Sequence, residues 1–132
     1  MFLLVPYAVS RSEISEVHAE EKQEEVATTT PAVPPTVKEL ISKYALHYGV
    51  SEAKAMAIAD CESKFDPMAD NPHSTASGVF QFLRGTWATT LEGKEGVDVF
   101  EAEPNIRAGV RMLSQVGAKP WRASYHCHGY WN

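Results

Sequence analysis

A chain of 132 residues is enough for one domain with a modest core. Its hydrophobic content of 44% and charged content of 22% are those of a soluble globular protein, and its formal net charge of −5 argues against nucleic acid as a partner. Six of the 17 acidic residues (Glu13, Glu16, Glu20, Glu21, Glu24 and Glu25) stand before residue 36, where only Arg11 and Lys22 offset them. The acidity therefore belongs to the leading segment, and the rest of the chain is close to neutral.

The first residues, "MFLLVPYAV", are apolar but span about half of the ~20 residues that cross a bilayer. No basic residue precedes the apolar stretch, although Ala8-Val9-Ser10 has the small-x-small form of a cleavage site. Residues 1–10 read either as a weak export signal or as part of a disordered tail. Residues 11–35 join the acidic run to "TTTPAVPP", a composition that cannot bury enough surface to offset chain entropy. They read as an acidic, Pro/Thr-rich linker with a semi-extended end.

The domain is predicted to span residues 36–132. "TVKE" at Thr36–Glu39 has the form of a capping box, and the apolar residues that follow recur at helical spacing up to Gly49. Ser51 can cap a second helix, "EAKAMAIADCES", which is apolar on nearly all sides and so predicted to be buried. It must stop by Asp66, because Pro67 disfavours helical geometry in the residue before it. "MADNPHSTASG" reads as a polar loop, "VFQFLRGTWATTL" as a short helix or two, and "EGKEGVD" as loop. "EPNIRAGVRML" reads as a helix with Pro104 in its first turn and Gly117 available to end it. No alternating strand pattern stands out, so the predicted fold class is mainly α, one domain behind a disordered N-terminal tail.

Chemistry concentrates at the end of the buried helix. Burial of Glu62 and the partial negative charge of a helix C-terminus both favour its protonated form, which suits a general acid. The plainer alternative is a carboxylate at a frayed end, exposed or paired with Lys64. Cys61 stands beside it, and the other cysteine, Cys127, lies among the last residues. In an exported chain the two would form a bridge; in a reducing compartment they would be free thiols. No second acid is clearly placed beside Glu62. Asp60 lies on another helix face, Pro67 carries Asp66 away, and Asp70 and Asp98 lie in loops of undetermined position.

The stretch "ADCESKFDPMADNPHSTASGVFQFLRGTW" resembles the core motif of the transglycosylase SLT domain family. The matching positions are Glu62-Ser63, Phe65, Pro67 and Ala69, then Ser77-Gly78-Val79-Phe80-Gln81, then Thr86-Trp87, Asn105-Ile106 with Gly109, Trp121, and Ser124 to Cys127. The family's Ala-Tyr-Asn motif is altered here to "ASYHC", which puts Tyr125 in the place of its Tyr and His126 in the place of its Asn. The resemblance implies a lysozyme-like fold over residues 36–131. It also implies cleavage of the β-1,4 bond between N-acetylmuramic acid and N-acetylglucosamine in peptidoglycan, with a 1,6-anhydro product. Glu62 would be the acid and base, and Ser63, Ser77, Phe80, Gln81 and Tyr125 the substrate-binding residues. For Phe82 and Trp87, core packing is the favoured role.

Peptidoglycan strands are the expected partner, met outside the cytoplasm or during phage lysis by a monomer with no membrane span. No cofactor is expected. A metal at His126, Cys127 and His128 fits structural zinc spacing poorly. A hydrolytic muramidase on the same site, or a non-catalytic peptidoglycan-binding module, are the alternatives.

Overall fold

A computed structural model describes residues 31–132. The signal-like segment 1–10 and most of the predicted linker lie outside the described residues. The compact unit runs from Pro35 to Asn132.

Helix α1 (Val37–Tyr48) begins where the Thr36 hydroxyl accepts the Glu39 amide at 3.2 Å, and ends at Gly49 in the left-handed region, φ 68°. Its apolar stripe buries Leu40, Ile41, Tyr44 and Ala45. Helix α2 (Glu52–Ser63) is capped by Ser51, whose hydroxyl accepts the Lys54 amide at 3.3 Å. It buries Ala55, Ile58 and Ala59. It ends three residues before Asp66, because Lys64 and Phe65 both take positive φ, 53° and 63°. Two consecutive residues in that region turn the chain sharply out of the helix.

Residues 66–83 form turns joined by isolated bridges, Asp70 to Ser77 and Ser77 to Phe82, and no strand forms among the described residues. Asn105 holds this loop from below. Its side chain is fully buried, accepts the Phe80 amide at 2.9 Å and donates to the Val99 carbonyl at 2.8 Å. Helices α3 (Arg84–Thr89) and α4 (Leu91–Lys94) follow, then α5 (Ala102–Val116), with Pro104 in its first turn and Gly117 at its end. A 3₁₀ turn (Lys119–Ser124) and α6 (Tyr125–His128) close the domain. The fold is mainly helical, and no helix of the described residues is long and apolar enough to cross a membrane.

One segment departs from expectation. "EGKEGVD" begins inside α4, where the Thr90 hydroxyl accepts the Gly93 amide at 3.0 Å. The reason is Glu92, which is buried and bonded to Arg107 (2.7 Å) and Arg111 (3.0 Å) on α5. Burial opposes its charge, but hydrogen bonds from Arg111 and Arg107 outweigh burial and hold its pKa at about 2. The turn forms because a buried ion cluster holds it, which a reading for apolar periodicity misses.

The core is centred on Phe80, which is fully buried and meets Trp121 edge to face at 5.8 Å. Gly109 of α5 leaves the room for that ring: a Cβ there would sit 2.5 Å from Phe80 Cγ. Trp121 also donates its indole N–H to the Phe80 carbonyl at 2.8 Å, which ties the C-terminal turn to the core.

Candidate active site

Glu62 is the penultimate residue of α2, where the turn at Lys64 and Phe65 leaves its carboxyl half-buried. The Ser124 hydroxyl, from the end of the 3₁₀ turn, donates to Glu62 Oε1. Burial raises the Glu62 pKa above the usual carboxylate range. The Ser124 hydrogen bond and the nearby His128 oppose burial without cancelling it. The net effect favours a carboxylic acid that keeps its proton longer than an exposed one.

A cavity of about 370 Å³ opens over this carboxyl, lined by Glu62, Ser63, Lys64, Ala69, Asp70 and Gln81 among others. A second cavity of about 570 Å³ shares Asp70, Asn71 and Pro72 with it and extends to Ser77, Arg84 and Phe100. The two cavities lie on either side of these shared residues. Cys61 and Cys127 are joined in a disulfide, with Cα atoms 6.0 Å apart. It pins the end of α2 to α6, one residue from Glu62 and three from Ser124.

The residues expected to bind substrate have separate fates. Gln81 lines the Glu62 cavity at φ 52°; its amide nitrogen donates to the Ala69 and Gly78 carbonyls, at 3.1 and 3.0 Å. That leaves its oxygen as the polar group available to a ligand. Ser63 lines the same cavity, but it is buried and its hydroxyl donates to the Ala59 carbonyl at 3.1 Å, within its own helix. Ser77 lines the neighbouring cavity, and its hydroxyl donates to the Thr75 carbonyl at 3.0 Å. Phe80 does not line the groove with its side chain. The ring is fully buried, because Gly109 and Trp121 form a pocket that takes the whole of it. Tyr125 is exposed and packs edge to face on Trp131 at 5.0 Å; the hydroxyl that reaches Glu62 belongs to its neighbour Ser124.

Sequence reasoning missed Ser124 as a partner of Glu62, Asp70 as a wall of the same cavity, and His128. The imidazole of His128 is buried, its Nδ1 accepts the Tyr130 amide at 3.0 Å, and its Nε2 meets the Trp121 carbonyl at 2.9 Å. Both of its nitrogens are therefore engaged inside the fold. Cys127 is bonded to Cys61, and no group of three or more His, Cys, Asp or Glu among the described residues could hold a metal ion.

The model of the transglycosylase SLT domain matches residues 39–126. A probable transglycosylase, SceD 3, of Staphylococcus saprophyticus is 38% identical over 68 residues, covering 49% of this chain and 29% of the relative. Membrane-bound lytic murein transglycosylase C of Yersinia pestis is 38% identical over 82 residues, covering 57% of this chain and 23% of the relative. The chain thus spans less than a third of the length of these curated relatives.

Proposed function

We propose, because the chain belongs to the transglycosylase SLT domain family, that it is a lytic transglycosylase acting on peptidoglycan glycan strands outside the cytoplasm. The observation that carries this reading is Glu62: a half-buried carboxyl lining a cavity, with its pKa raised by burial.

One carboxyl suffices for the reaction. Protonated Glu62 gives its proton to the glycosidic oxygen as the C1–O bond breaks, which frees the 4-hydroxyl of the N-acetylglucosamine unit. The carbonyl oxygen of the N-acetylmuramic acid acetamido group closes on C1 and carries the positive charge. Glu62, now a carboxylate, takes the proton of the C6 hydroxyl. O6 attacks C1 and displaces the acetamido oxygen, which forms the 1,6-anhydro ring and returns the carboxyl to its starting state. The Gln81 oxygen faces the same cavity and is the proposed acceptor for a sugar N–H or O–H.

Asp70 favours a second reading, a muramidase. It lines the same cavity and would be the second carboxyl of an ordinary glycoside hydrolase. Mass spectrometry of digested peptidoglycan separates the two. Anhydro ends from the wild type and from Asp70→Asn, but not from Glu62→Gln, are expected. Reducing ends that are lost in Asp70→Asn would establish the muramidase. Wild-type product release by Glu62→Gln would remove Glu62 from the chemistry.

A further inference from the structure

Glu62 has two carboxyl oxygens, and only one of them can present the proton to a glycosidic bond. We propose that Ser124 is the positioning residue for Glu62: by donating to Oε1 it assigns the reactive proton to Oε2. The proposal deepens, and rests on, the reading of Glu62 as the acid.

Three observations support it. The Ser124 hydroxyl donates to Glu62 Oε1, and Oε2 accepts no hydrogen bond among the described residues. Ser124 is held at that distance in the sequence by two separate ties. The Cys61–Cys127 bond fastens α6 to α2, and Trp121, three residues upstream, donates to the Phe80 carbonyl in the core. Third, the tyrosine next to it, in the place the family resemblance gave to a functional hydroxyl, turns away to pack on Trp131. A short hydroxyl on the tied segment therefore meets the carboxyl in its place.

The other charged or titratable groups around Glu62 are placed differently. Lys64 and Asp70 line the same cavity, Asp60 lies two residues back on α2, and His126 and His128 share α6 with Tyr125. None of them hydrogen-bonds to Glu62. A hydroxyl donor stabilises the carboxylate more than the acid, so its removal must raise the pKa of the group.

The test uses the full chain with its disulfide intact. The rate of anhydro-muropeptide release from purified peptidoglycan is measured against pH for the wild type, Ser124→Ala and Ser124→Thr, alongside the titration of the Glu62 carboxyl carbon by ¹³C NMR. In Ser124→Ala the alkaline limb of the rate profile and the NMR midpoint are both expected to rise by about one pH unit. Threonine, which keeps the donor, is expected to restore both. An unshifted midpoint in Ser124→Ala overturns the proposal even if the rate falls, since a purely structural role would lower activity without moving the titration. In the wild type, the Ser124 hydroxyl proton is expected to titrate with the Glu62 midpoint. A hydroxyl blind to that titration overturns the contact with no variant needed. An inactive Glu62→Gln beside an unshifted Ser124→Ala would sink only this proposal, whereas an active Glu62→Gln would sink the reading beneath it.

Discussion

Replacing Cys61 and Cys127 together by alanine opens a covalent loop whose ends are 66 residues apart. Chain entropy assigns the closure of such a loop about 4 kcal/mol. That is a large share of the ~5–15 kcal/mol that holds a typical domain folded. At ~4–8 °C for each kcal/mol in a domain of this size, the melting temperature is expected to fall by roughly 15–30 °C. Reduction of the bond with a dithiol should produce the same loss. The assay is a thermal melt by circular dichroism of the oxidised wild type, the reduced wild type and the double variant, at one pH. Below its melting point the double variant is also expected to cleave peptidoglycan more slowly, because the bond flanks Glu62 and holds the segment of Ser124. A fall of less than ~5 °C would refute the loop-closure reasoning. It would mean that Trp121, bonded to the Phe80 carbonyl in the core, holds the C-terminal segment by itself.

Glu92→Gln leaves Arg107 and Arg111 without their shared counter-charge and is expected to cost ~3–5 kcal/mol at neutral pH by chemical denaturation. The folded pKa of Glu92 is depressed, so the wild type holds this stability above the ordinary carboxylate range and loses it as pH falls from 4.5 towards about 2. The gap between the two proteins should close over that window; a constant gap would show that the ion cluster is not its source. Glu62 has the opposite sign. Its folded pKa is raised by burial, so ionisation of Glu62 destabilises the fold as pH rises through that pKa. Glu62→Gln is therefore expected to melt higher than the wild type at about pH 8 and equally at about pH 4. A lower melting temperature at the higher pH would contradict the burial assigned to this carboxyl.

Much of the helical frame was legible because its signals are local. Thr36 and Ser51 cap the helices they were expected to cap, and Gly49 and Gly117 end theirs. The end of α2 at Ser63 follows the same logic, although the turn comes at Lys64 and Phe65 and not at the proline. What stayed hidden depends on partners far apart in the chain. Ser124 is 62 residues from Glu62, and nothing in "RASYH" distinguishes its hydroxyl from that of Tyr125. Glu92 looked like a loop residue, since its reason for burial is a pair of arginines on another helix. Phe80 was expected at the groove because an aromatic ring can meet the C–H face of a sugar. Gly109, which opens the space for its ring, is 29 residues further on. Asp70 reaches the Glu62 cavity through a loop whose path is set by Asn105 and the bridge to Ser77, neither of which has periodicity to read.

The ties that complete the Glu62 site bear on the order of events during synthesis. Helix α2, with its carboxyl, leaves the ribosome long before the residues that finish the site, and contacts of such separation close late in folding. Until the chain has been made through Ser124, Glu62 lacks its hydroxyl donor, and until Cys127 has been oxidised onto Cys61 it lacks its brace. A partly made chain therefore holds the acid without the machinery that aims it. On the proposed function this is a built-in delay: competence arrives with the last residues of the domain and with the Cys61–Cys127 bond.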